Sequence, residues 1–182
     1  IVIKSTVLPN HLESLKKRKI NFIYNPEFLR EKHAYEDFIN SKLIILGGEE
    51  ECAKKVSDFY KTHTKCIEKN HIFTDEITAS FVKYSINTFL SNKVIFFNQL
   101  KNIFDKSTST DSWENFINIL SIDKRIGSSH MDVPGNDGRL GYGGACFPKD
   151  TKAFLDYSKY LAEDFSLLSE SININNNLRS LY

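Results

Sequence analysis

The sequence predicts an α/β fold in which a mostly parallel sheet is followed by a long central helix and an all-helical segment. Two observations support this prediction. Short apolar runs alternate with helical patterns over residues 1–70, in the order β-α-β-α-β-α-β that is typical of a mostly parallel sheet. Residues 74–106 then run without glycine or proline, which favours one long helix.

Four strands and three helices are expected in the first part of the chain. Polar and glycine-containing breaks such as Asn25-Pro26-Glu27 and Gly47-Gly48 separate the apolar runs and mark where strands end. In chain order the elements are a strand at 1–3, a helix at 10–19, a strand at 21–24, a short helix after Glu27, a strand at 42–46, a helix at 49–62 and a strand at 63–67.

The long helix is expected from Thr74 to Lys106, with Thr74 or Asp75 as its N-terminal cap. Its apolar side chains go most of the way round the helical wheel, so it must be buried on nearly every face. In a chain of 182 residues, that burial implies a partner subunit or further domains. A helix at 111–122, a glycine-rich loop at 125–144 and helices at 148–161 and 165–181 complete the prediction.

The composition excludes several classes of partner. Lysine and arginine number 24 and aspartate and glutamate 23, so the net charge of +1 gives no field for binding nucleic acid or an anionic membrane. The longest apolar runs are far shorter than the roughly 20 residues that cross a bilayer, and no leader-like segment is visible, so we expect a cytoplasmic location. Three cysteines without a CxxC pair, and five histidines without ligand spacing, predict neither a disulfide framework nor a metal site.

The most informative motif is the segment Gly143-Gly144-Ala145-Cys146-Phe147-Pro148-Lys149-Asp150, which places a cysteine on a glycine-rich turn directly before a helix. Pro148 suits the first helical turn, where its missing N–H costs nothing. Unpaired N–H groups and the helix dipole at that end favour a thiolate, and Lys149 adds positive charge. Gly143 and Gly144 leave room for a substrate. The motif alone fits either a nucleophile or a buried cysteine that precedes a helix.

Two other groups of residues could carry chemistry. Lys83 and Asn87 are four residues apart on the predicted long helix and therefore lie on one face, where the lysine either needs an anionic partner or reaches out from the helix edge. The segment 25–31 and the pair Ser5-Thr6 follow strand ends, where open α/β sheets bind ligands. A plain turn and a helix cap explain those two segments nearly as well.

Taken together, these motifs resemble the nucleotide-sugar dehydrogenases, and within that family the UDP-glucose dehydrogenases. Five segments carry the resemblance in sequence order: 4–9, 25–31, 83–93, 123–127 and 141–150. The resemblance implies that residues 1–73 are the C-terminal portion of a Rossmann-like NAD-binding domain. It also implies that residues 74–182 are a central helical domain, which forms a homodimer through the helix at 74–106 and carries the Cys146 loop. Because no GxGxxG fingerprint is present, we expect a central fragment that is inactive alone.

The resemblance also implies an activity. The family oxidises the C6 alcohol of a nucleotide sugar to a carboxylate with two NAD+ and no release of the aldehyde, so NAD is the expected cofactor and UDP-glucose the expected substrate. Cys146 would form a thiohemiacetal and then a thioester, while Lys83 and Asn87 stabilise the oxyanion. The remaining expected catalytic residues are Glu27, which assists hydrolysis through a water positioned by Thr6, and Asp150, which orients that water and Cys146.

Binding residues follow from the same resemblance. The backbone of Phe28, Leu29 and Arg30, together with that of Tyr142 and Gly143, would cradle the sugar. Lys83 and Asn87 would contact it, and Arg125 would reach the substrate of the neighbouring subunit. Glu31 would lie near the nicotinamide, with Thr6 and Lys149 also at the cofactor.

Three alternatives remain open. A GDP-mannose dehydrogenase shares the Pro-Glu-Phe-Leu-Arg-Glu pattern, whereas Phe28 argues against dehydrogenases of 2-acetamido sugars, which commonly have an arginine soon after the Pro-Glu. The second alternative is a non-catalytic dimerisation fragment. A GxGxxG motif upstream in the natural reading frame would exclude it. A cysteine hydrolase is the third, and it requires His130 within hydrogen-bond reach of Cys146.

Overall fold

A computed structural model describes residues 1–30 and 33–181 of the chain. The chain divides into two compact units, residues 1–85 and residues 86–182. The division falls inside one long helix, which contributes its N-terminal part to the first unit and the rest to the second. The boundary between the NAD-binding domain and the central helical domain, which the sequence places after residue 73, stays a prediction.

The first unit is an α/β structure, as predicted. In chain order its elements are β1 (Val2–Ile3), α1 (Pro9–Lys17), β2 (Ile23–Tyr24), α2 (Ala34–Ile39), β3 (Ile45–Gly47), α3 (Glu50–His63) and β4 (Ile72–Thr74). The strands lie in the order β1-β2-β3-β4. β1 and β2 are parallel, as are β3 and β4, while β2 and β3 meet antiparallel through Tyr24 and Gly47. Two of the three pairings are therefore parallel.

The strand predicted at 63–67 is wrong, because the fourth strand is Ile72–Thr74. His63 is the last residue of α3, and the N–H of Cys66 bonds to the hydroxyl of Thr64 at 3.3 Å rather than to a strand. Residues Ile72, Phe73 and Thr74 instead pair with Ile45, Leu46 and Gly47. Both segments are short, and the pattern over so few residues does not separate a paired strand from an extended connection.

The two faces of the sheet carry separate cores, because successive strand residues point to opposite sides. On one face Tyr24 and Ile45 pack with Leu12 of α1 and with Ala79 of the long helix. On the other face Ile23 and Leu46 pack with residues of α3 such as Ala53. The carboxyl ends of the parallel strands β1 and β2 lie at one edge, so the residues that follow them share that edge.

The long helix α4 (Glu76–Asp105) confirms the predicted element. Asp75 is its cap, since one carboxylate oxygen accepts hydrogen bonds from the N–H groups of Ile77 at 2.9 Å and Thr78 at 2.8 Å. These bonds, with a further one from the Thr78 hydroxyl at 2.6 Å, lower the pKa of the Asp75 carboxyl.

The second unit is helical, as predicted. Besides the rest of α4 it contains α5 (Trp113–Ser121), α6 (Phe147–Tyr160) and α7 (Ser166–Arg179). The connection between α5 and α6, all of which is described, has no helix or strand, and its Met131 and Val133 pack against Phe97 of α4 in a buried cluster. Across the described residues, no helix is both long and apolar enough to cross a bilayer.

The part of α4 in the second unit has an unusual distribution of side chains. Phe89, Phe96 and Ile103 are 67%, 59% and 67% exposed, and they recur every seven residues on one stripe. Asn87 and Asn98 are buried instead. The helix therefore presents an apolar stripe to its surroundings and buries polar groups that need partners inside the unit.

Candidate active site

Cys146 lies directly before α6, as Pro148 in the first helical turn predicts. Its thiol is free and exposed, and its carbonyl accepts the first helical hydrogen bond, from the N–H of Asp150 at 2.9 Å. Gly144 has a φ of 76°, in the left-handed region that favours glycine. The thiol is therefore accessible at a helix N-terminus, where unpaired N–H groups favour negative charge.

Asp150 is a buried carboxylate one turn after Cys146. It is 1% exposed, and its Oδ2 accepts a hydrogen bond from Asn87 Nδ2 at 2.6 Å. Its Oδ1 pairs with the ammonium group of Lys149, whose side chain is 58% exposed. The second unit thus brings three of the predicted residues together, Asn87, Lys149 and Asp150, next to the position of Cys146.

Only one of the two glycines before Cys146 leaves open space. A Cβ on Gly144 would meet nothing within 4 Å, whereas a Cβ on Gly143 would lie 2.7 Å from a guanidinium nitrogen of Arg179. The expectation that both glycines make room for a substrate is therefore corrected. A side chain at position 143 would have to displace the flexible end of Arg179, whereas the backbone conformation favours glycine at position 144.

The first unit brings together Glu27 and Lys83. Lys83 is 3% exposed, and its Nζ donates to the Glu27 carbonyl at 2.5 Å and lies 3.4 Å from Glu27 Oε1. The ammonium also lies 5.2 Å from the centre of the Phe28 ring, a cation–π arrangement. The anionic partner that the sequence requires for Lys83 is therefore the Glu27 carboxylate.

The backbone predicted to cradle the sugar already has internal partners. The N–H of Leu29 donates to Glu27 Oε2 at 2.7 Å, and the N–H of Arg30 donates to Asp37 Oδ2 at 2.8 Å. The Arg30 guanidinium forms a two-pronged pair with the same carboxylate and holds the pKa of Asp37 at about 2. These interactions fix the turn after Glu27 in one conformation, with both N–H groups engaged.

Sequence reasoning missed a polar network beneath this turn. Lys4 Nζ donates to Asn25 Oδ1 and to the Tyr60 hydroxyl, both at 2.8 Å, and that hydroxyl donates to Asn25 Oδ1 at 2.5 Å. Burial lowers the pKa of Lys4, against the opposing charge of Glu27, and raises the pKa of Tyr60 to about 12. Lys4 and Asn25 were visible at strand ends, but Tyr60 lies on α3 with no local signal.

Thr6 and Lys149 are the predicted cofactor residues within the described range, and Glu31 lies outside it. Thr6 is half-buried beyond the carboxyl end of β1, at the edge where open α/β sheets bind ligands. A shallow indentation of about 20 Å³, room for about one water molecule, lies in the same unit, with Lys4, Asn25 and Glu27 in its wall. The Thr6 hydroxyl at the sheet edge is a group that can form a hydrogen bond with a dinucleotide. Among the described residues, there is no group of three or more His, Cys, Asp or Glu side chains that could hold a metal ion.

Arg125 and Tyr142 lie in different settings in the second unit. The Arg125 side chain is 89% exposed and pairs with Asp123 at 2.5 Å, which lowers the pKa of Asp123 and raises that of Arg125. Tyr142 is 4% exposed, and burial raises the pKa of its phenol. Lys93 of α4 holds the segment after Arg125 by donating to the carbonyl of Ile126 at 2.9 Å.

His130, the base required by a cysteine hydrolase, has its ring 5.6 Å from that of Phe147, the residue after Cys146. This contact places the imidazole against the aromatic side chain at the start of α6.

Comparison with known proteins assigns both parts of the chain to one family. Residues 77–177 match the central domain of the UDP-glucose/GDP-mannose dehydrogenase family, and residues 1–64 match the NAD binding domain of the same family. NAD is therefore the cofactor that this family assignment indicates. The assignment also favours a dehydrogenase over a hydrolase.

Individual relatives agree with this assignment. UDP-glucose 6-dehydrogenase YwqF of Bacillus subtilis is 34% identical over 163 residues, which are 89% of this chain and 34% of that protein. UDP-glucose 6-dehydrogenase of Rickettsia bellii is 34% identical over 190 residues, which are 100% of this chain and 42% of that protein. The chain thus spans less than half the length of these relatives.

Solved structures give the same result. A UDP-glucose dehydrogenase from the archaeon Pyrobaculum islandicum superposes with a TM-score of 0.79 at 30% identity, covering 97% of this chain and 40% of that one. A GDP-mannose dehydrogenase from Pseudomonas aeruginosa, at 22% identity and a TM-score of 0.60, covers 97% of this chain and 42% of that one and shows the shared fold alone. The chain belongs to the UDP-glucose/GDP-mannose dehydrogenase family.

Proposed function

We propose that this chain carries the catalytic centre of an NAD-dependent nucleotide-sugar dehydrogenase that oxidises UDP-glucose to UDP-glucuronate. The observation that carries the proposal is the exposed Cys146 at the start of α6, followed one turn later by the buried Asp150 with its hydrogen bond from Asn87. A cysteine that only filled space would be buried, and it would have no need of a charged and hydrogen-bonded group beside it.

The first oxidation converts the C6 alcohol to an aldehyde. The C6 carbon loses a hydride, and its hydroxyl loses a proton to Glu27 through the water positioned by Thr6. Glu27 passes that proton on to solvent, and the thiolate of Cys146 forms a C–S bond to the aldehyde carbon. NAD+ bound in turn as two molecules would accept the two hydrides, one in each oxidation. The thiohemiacetal oxygen carries developing negative charge, which the Lys83 ammonium and the Asn87 amide stabilise.

The Lys83 ammonium has one N–H group left to stabilise the oxyanion besides those that bond to Glu27. An ammonium group has three N–H donors, and two directions are taken by the carbonyl and the carboxylate of Glu27. The third is available for an oxyanion. Because the side chain is 3% exposed, its charge acts with little screening by water.

The second oxidation and the hydrolysis complete the reaction. Loss of a second hydride from C6 of the thiohemiacetal leaves a thioester on Cys146. Glu27 takes a proton from a water positioned by Thr6, and the water oxygen attacks the thioester carbon. The C–S bond breaks to release the thiolate and the carboxylic acid, which loses its proton to solvent and leaves as the carboxylate. Asp150 orients Cys146 and that water.

The binding roles are proposed on the same basis. The turn from Phe28 to Arg30 and the segment Tyr142–Gly143 would shape the sugar site, while Thr6, Glu31 and Lys149 would lie at the cofactor. The rigid network of Arg30 with Asp37 supports the first of these roles, since a preformed turn loses little entropy when it binds.

A homodimer through the long helix forms part of this proposal. The exposed stripe of Phe89, Phe96 and Ile103 supports it, because a seven-residue apolar repeat is the pattern by which two helices pair. Arg125 would then reach the sugar of the neighbouring subunit, a role for which its long exposed side chain is suited. A cytoplasmic location remains our expectation.

The test of the proposed function is NADH production by the full-length protein with UDP-glucose, GDP-mannose and a UDP-2-acetamido sugar in parallel. We expect UDP-glucose to be preferred and to yield two NADH for each uronate formed. A preference for GDP-mannose would agree with the chemistry of the family and would overturn the assignment of UDP-glucose as the substrate. Absence of turnover with all three would overturn the proposal.

A further inference from the structure

The loop that leads to Cys146 has the backbone of two consecutive residues fully bonded to side chains. The N–H of Gly141 donates to Asn98 Oδ1 at 2.9 Å, and the N–H of Tyr142 donates to Asn175 Oδ1 at 2.7 Å. Arg179 donates to both carbonyls, from Nη2 to Gly141 at 3.0 Å and from Nε to Tyr142 at 3.1 Å. Loop backbone without a ladder usually relies partly on water for these bonds.

The three side chains come from rigid elements of the second unit. Asn98 lies on α4, while Asn175 and Arg179 lie one turn apart on α7 and so share a face. Asn98 and Asn175 are 3% and 5% exposed. The Asn98 amide is itself fixed by a bond from its Nδ2 to the carbonyl of Val94 at 2.8 Å.

Arg179 also joins this turn to the preceding part of the same loop. Its Nη1 pairs with Asp137 Oδ2 at 2.6 Å, and that bond lowers the pKa of the Asp137 carboxyl. One guanidinium group therefore uses three nitrogens on three separate acceptors, which a lysine ammonium cannot reproduce with the same geometry.

The glycines of this turn are explained by the same contacts. A Cβ on Gly141 would lie 2.5 Å from Asn175 Oδ1, and a Cβ on Gly143 would lie 2.7 Å from Arg179 Nη2. Gly141 also has a φ of 72°. A Cβ at these two positions would displace the Asn175 amide and the Arg179 guanidinium from their bonds to the loop.

We propose that Asn175 and Arg179, together with Asn98, are positioning residues that fix the turn before Cys146 and so hold its sulfur in the reactive position. This inference rests on the proposed role of Cys146 as the nucleophile. The three residues act through the backbone of Gly141 and Tyr142. A displacement of about 1 Å at a reacting atom can cost about a hundredfold in rate. These three residues can therefore affect the rate without contacting the sugar.

The test compares three α7 variants in the full-length protein: Asn175→Ala, which removes the acceptor, Asn175→Asp, which retains it, and Asn176→Ala, an exposed neighbour, as control. For Asn175→Ala we expect faster hydrogen exchange at the Tyr142 amide and a kcat lower by roughly 10- to 100-fold, with KM for NAD+ within about twofold. Asn175→Asp should recover most of both losses, and Asn176→Ala should match the wild type.

A readout that does not depend on turnover separates this inference from the proposed function. Iodoacetamide should label Cys146 more slowly in Asn175→Ala than in the wild type, with the exposed Cys52 of the same molecule as an internal reference. The wild-type protein could be inactive with every nucleotide sugar while Asn175→Ala still labels more slowly. That result would overturn the proposed dehydrogenase function and support the positioning role of Asn175.

Two results would overturn the positioning role. One is unchanged exchange at Tyr142 in Asn175→Ala. The other is faster exchange with wild-type kcat and wild-type labelling of Cys146, which would show that the loop is held for stability alone. If Asn175→Ala does not fold, Arg179→Lys gives the same test, because it keeps a positive charge beside Asp137 and loses the simultaneous bonds to both carbonyls.

Discussion

Asn87 Nδ2 donates a hydrogen bond of 2.6 Å to Asp150 Oδ2, which ties the middle of α4 to the first turn of α6. Both residues are buried, and Asp150 is 1% exposed. A buried carboxylate is stable only when its oxygens have donors, so this bond contributes both to the fold of the second unit and to the setting of Cys146.

Asn87→Leu should lower the free energy of unfolding by about 1 to 3 kcal/mol, because the Asp150 carboxylate loses a donor while it stays buried. Denaturant titration measures this change. The matched control is Asn115→Leu, which removes an exposed bond from Asn115 Nδ2 to Asp111 at 2.9 Å and should cost about 0.5 kcal/mol or less. Equal losses from the two variants would contradict the importance of the buried bond.

Lys83→Ala should reduce kcat by roughly 10²- to 10³-fold, because it removes the positive charge to which we assign stabilisation of the oxyanion. Steady-state kinetics at saturating NAD+ and sugar measure this loss. Lys101→Ala is the control on the same helix, since Lys101 pairs with Asp105 at a partly exposed position. A lower melting temperature with unchanged kcat would instead identify Lys83 as a structural partner of Glu27.

Asp75→Asn should make the protein less sensitive to acid. The folded-state pKa of Asp75 lies below its ordinary value of 3.8, so the stabilisation by its ionised form is present above about pH 4 and is lost as the pH falls through the folded pKa. Asparagine still caps a helix but does not titrate. Melting temperatures between pH 7 and pH 3 test this, with Asp164→Asn as an exposed control, and parallel curves for wild type and Asp75→Asn would contradict it.

Phe96→Glu should dissociate the proposed dimer, because it places a charge in the middle of the apolar stripe on α4. Sedimentation velocity of the full-length protein reads the result directly. Phe59→Glu is the matched control, since Phe59 is 58% exposed on α3 and lies outside the stripe. A Phe96→Glu protein with the wild-type sedimentation coefficient would show that subunits do not pair through this helix.

Local patterns in the sequence were sufficient to predict most of the elements. The long helix was predictable because thirty residues without a breaker follow a capping aspartate, and the start of α6 was predictable from Pro148. The strand at 72–74 was missed because its three residues are paired only through tertiary contact with β3, and three residues give too short a pattern to mark a strand.

The candidate site was predictable only in part, and for a related reason. Cys146, Asp150 and Glu27 stand in motifs with local signals, and their catalytic roles stay predictions. The partners that hold them come from distant segments, such as Asn87 for Asp150 and Asn175 for the turn before Cys146. An amide on a helix has no local sequence signal for a hydrogen bond 33 or 63 residues away.

The central claim is that Cys146 is the covalent nucleophile, and its most direct test is NADH production from UDP-glucose by Cys146→Ser beside Cys52→Ser. Both cysteines are exposed and free, so the pair matches in chemistry and accessibility. We expect Cys146→Ser to lose steady-state turnover, because its alkoxide cannot form the thioester, and Cys52→Ser to retain the wild-type rate. Sustained NADH production by Cys146→Ser at the wild-type rate would contradict the account.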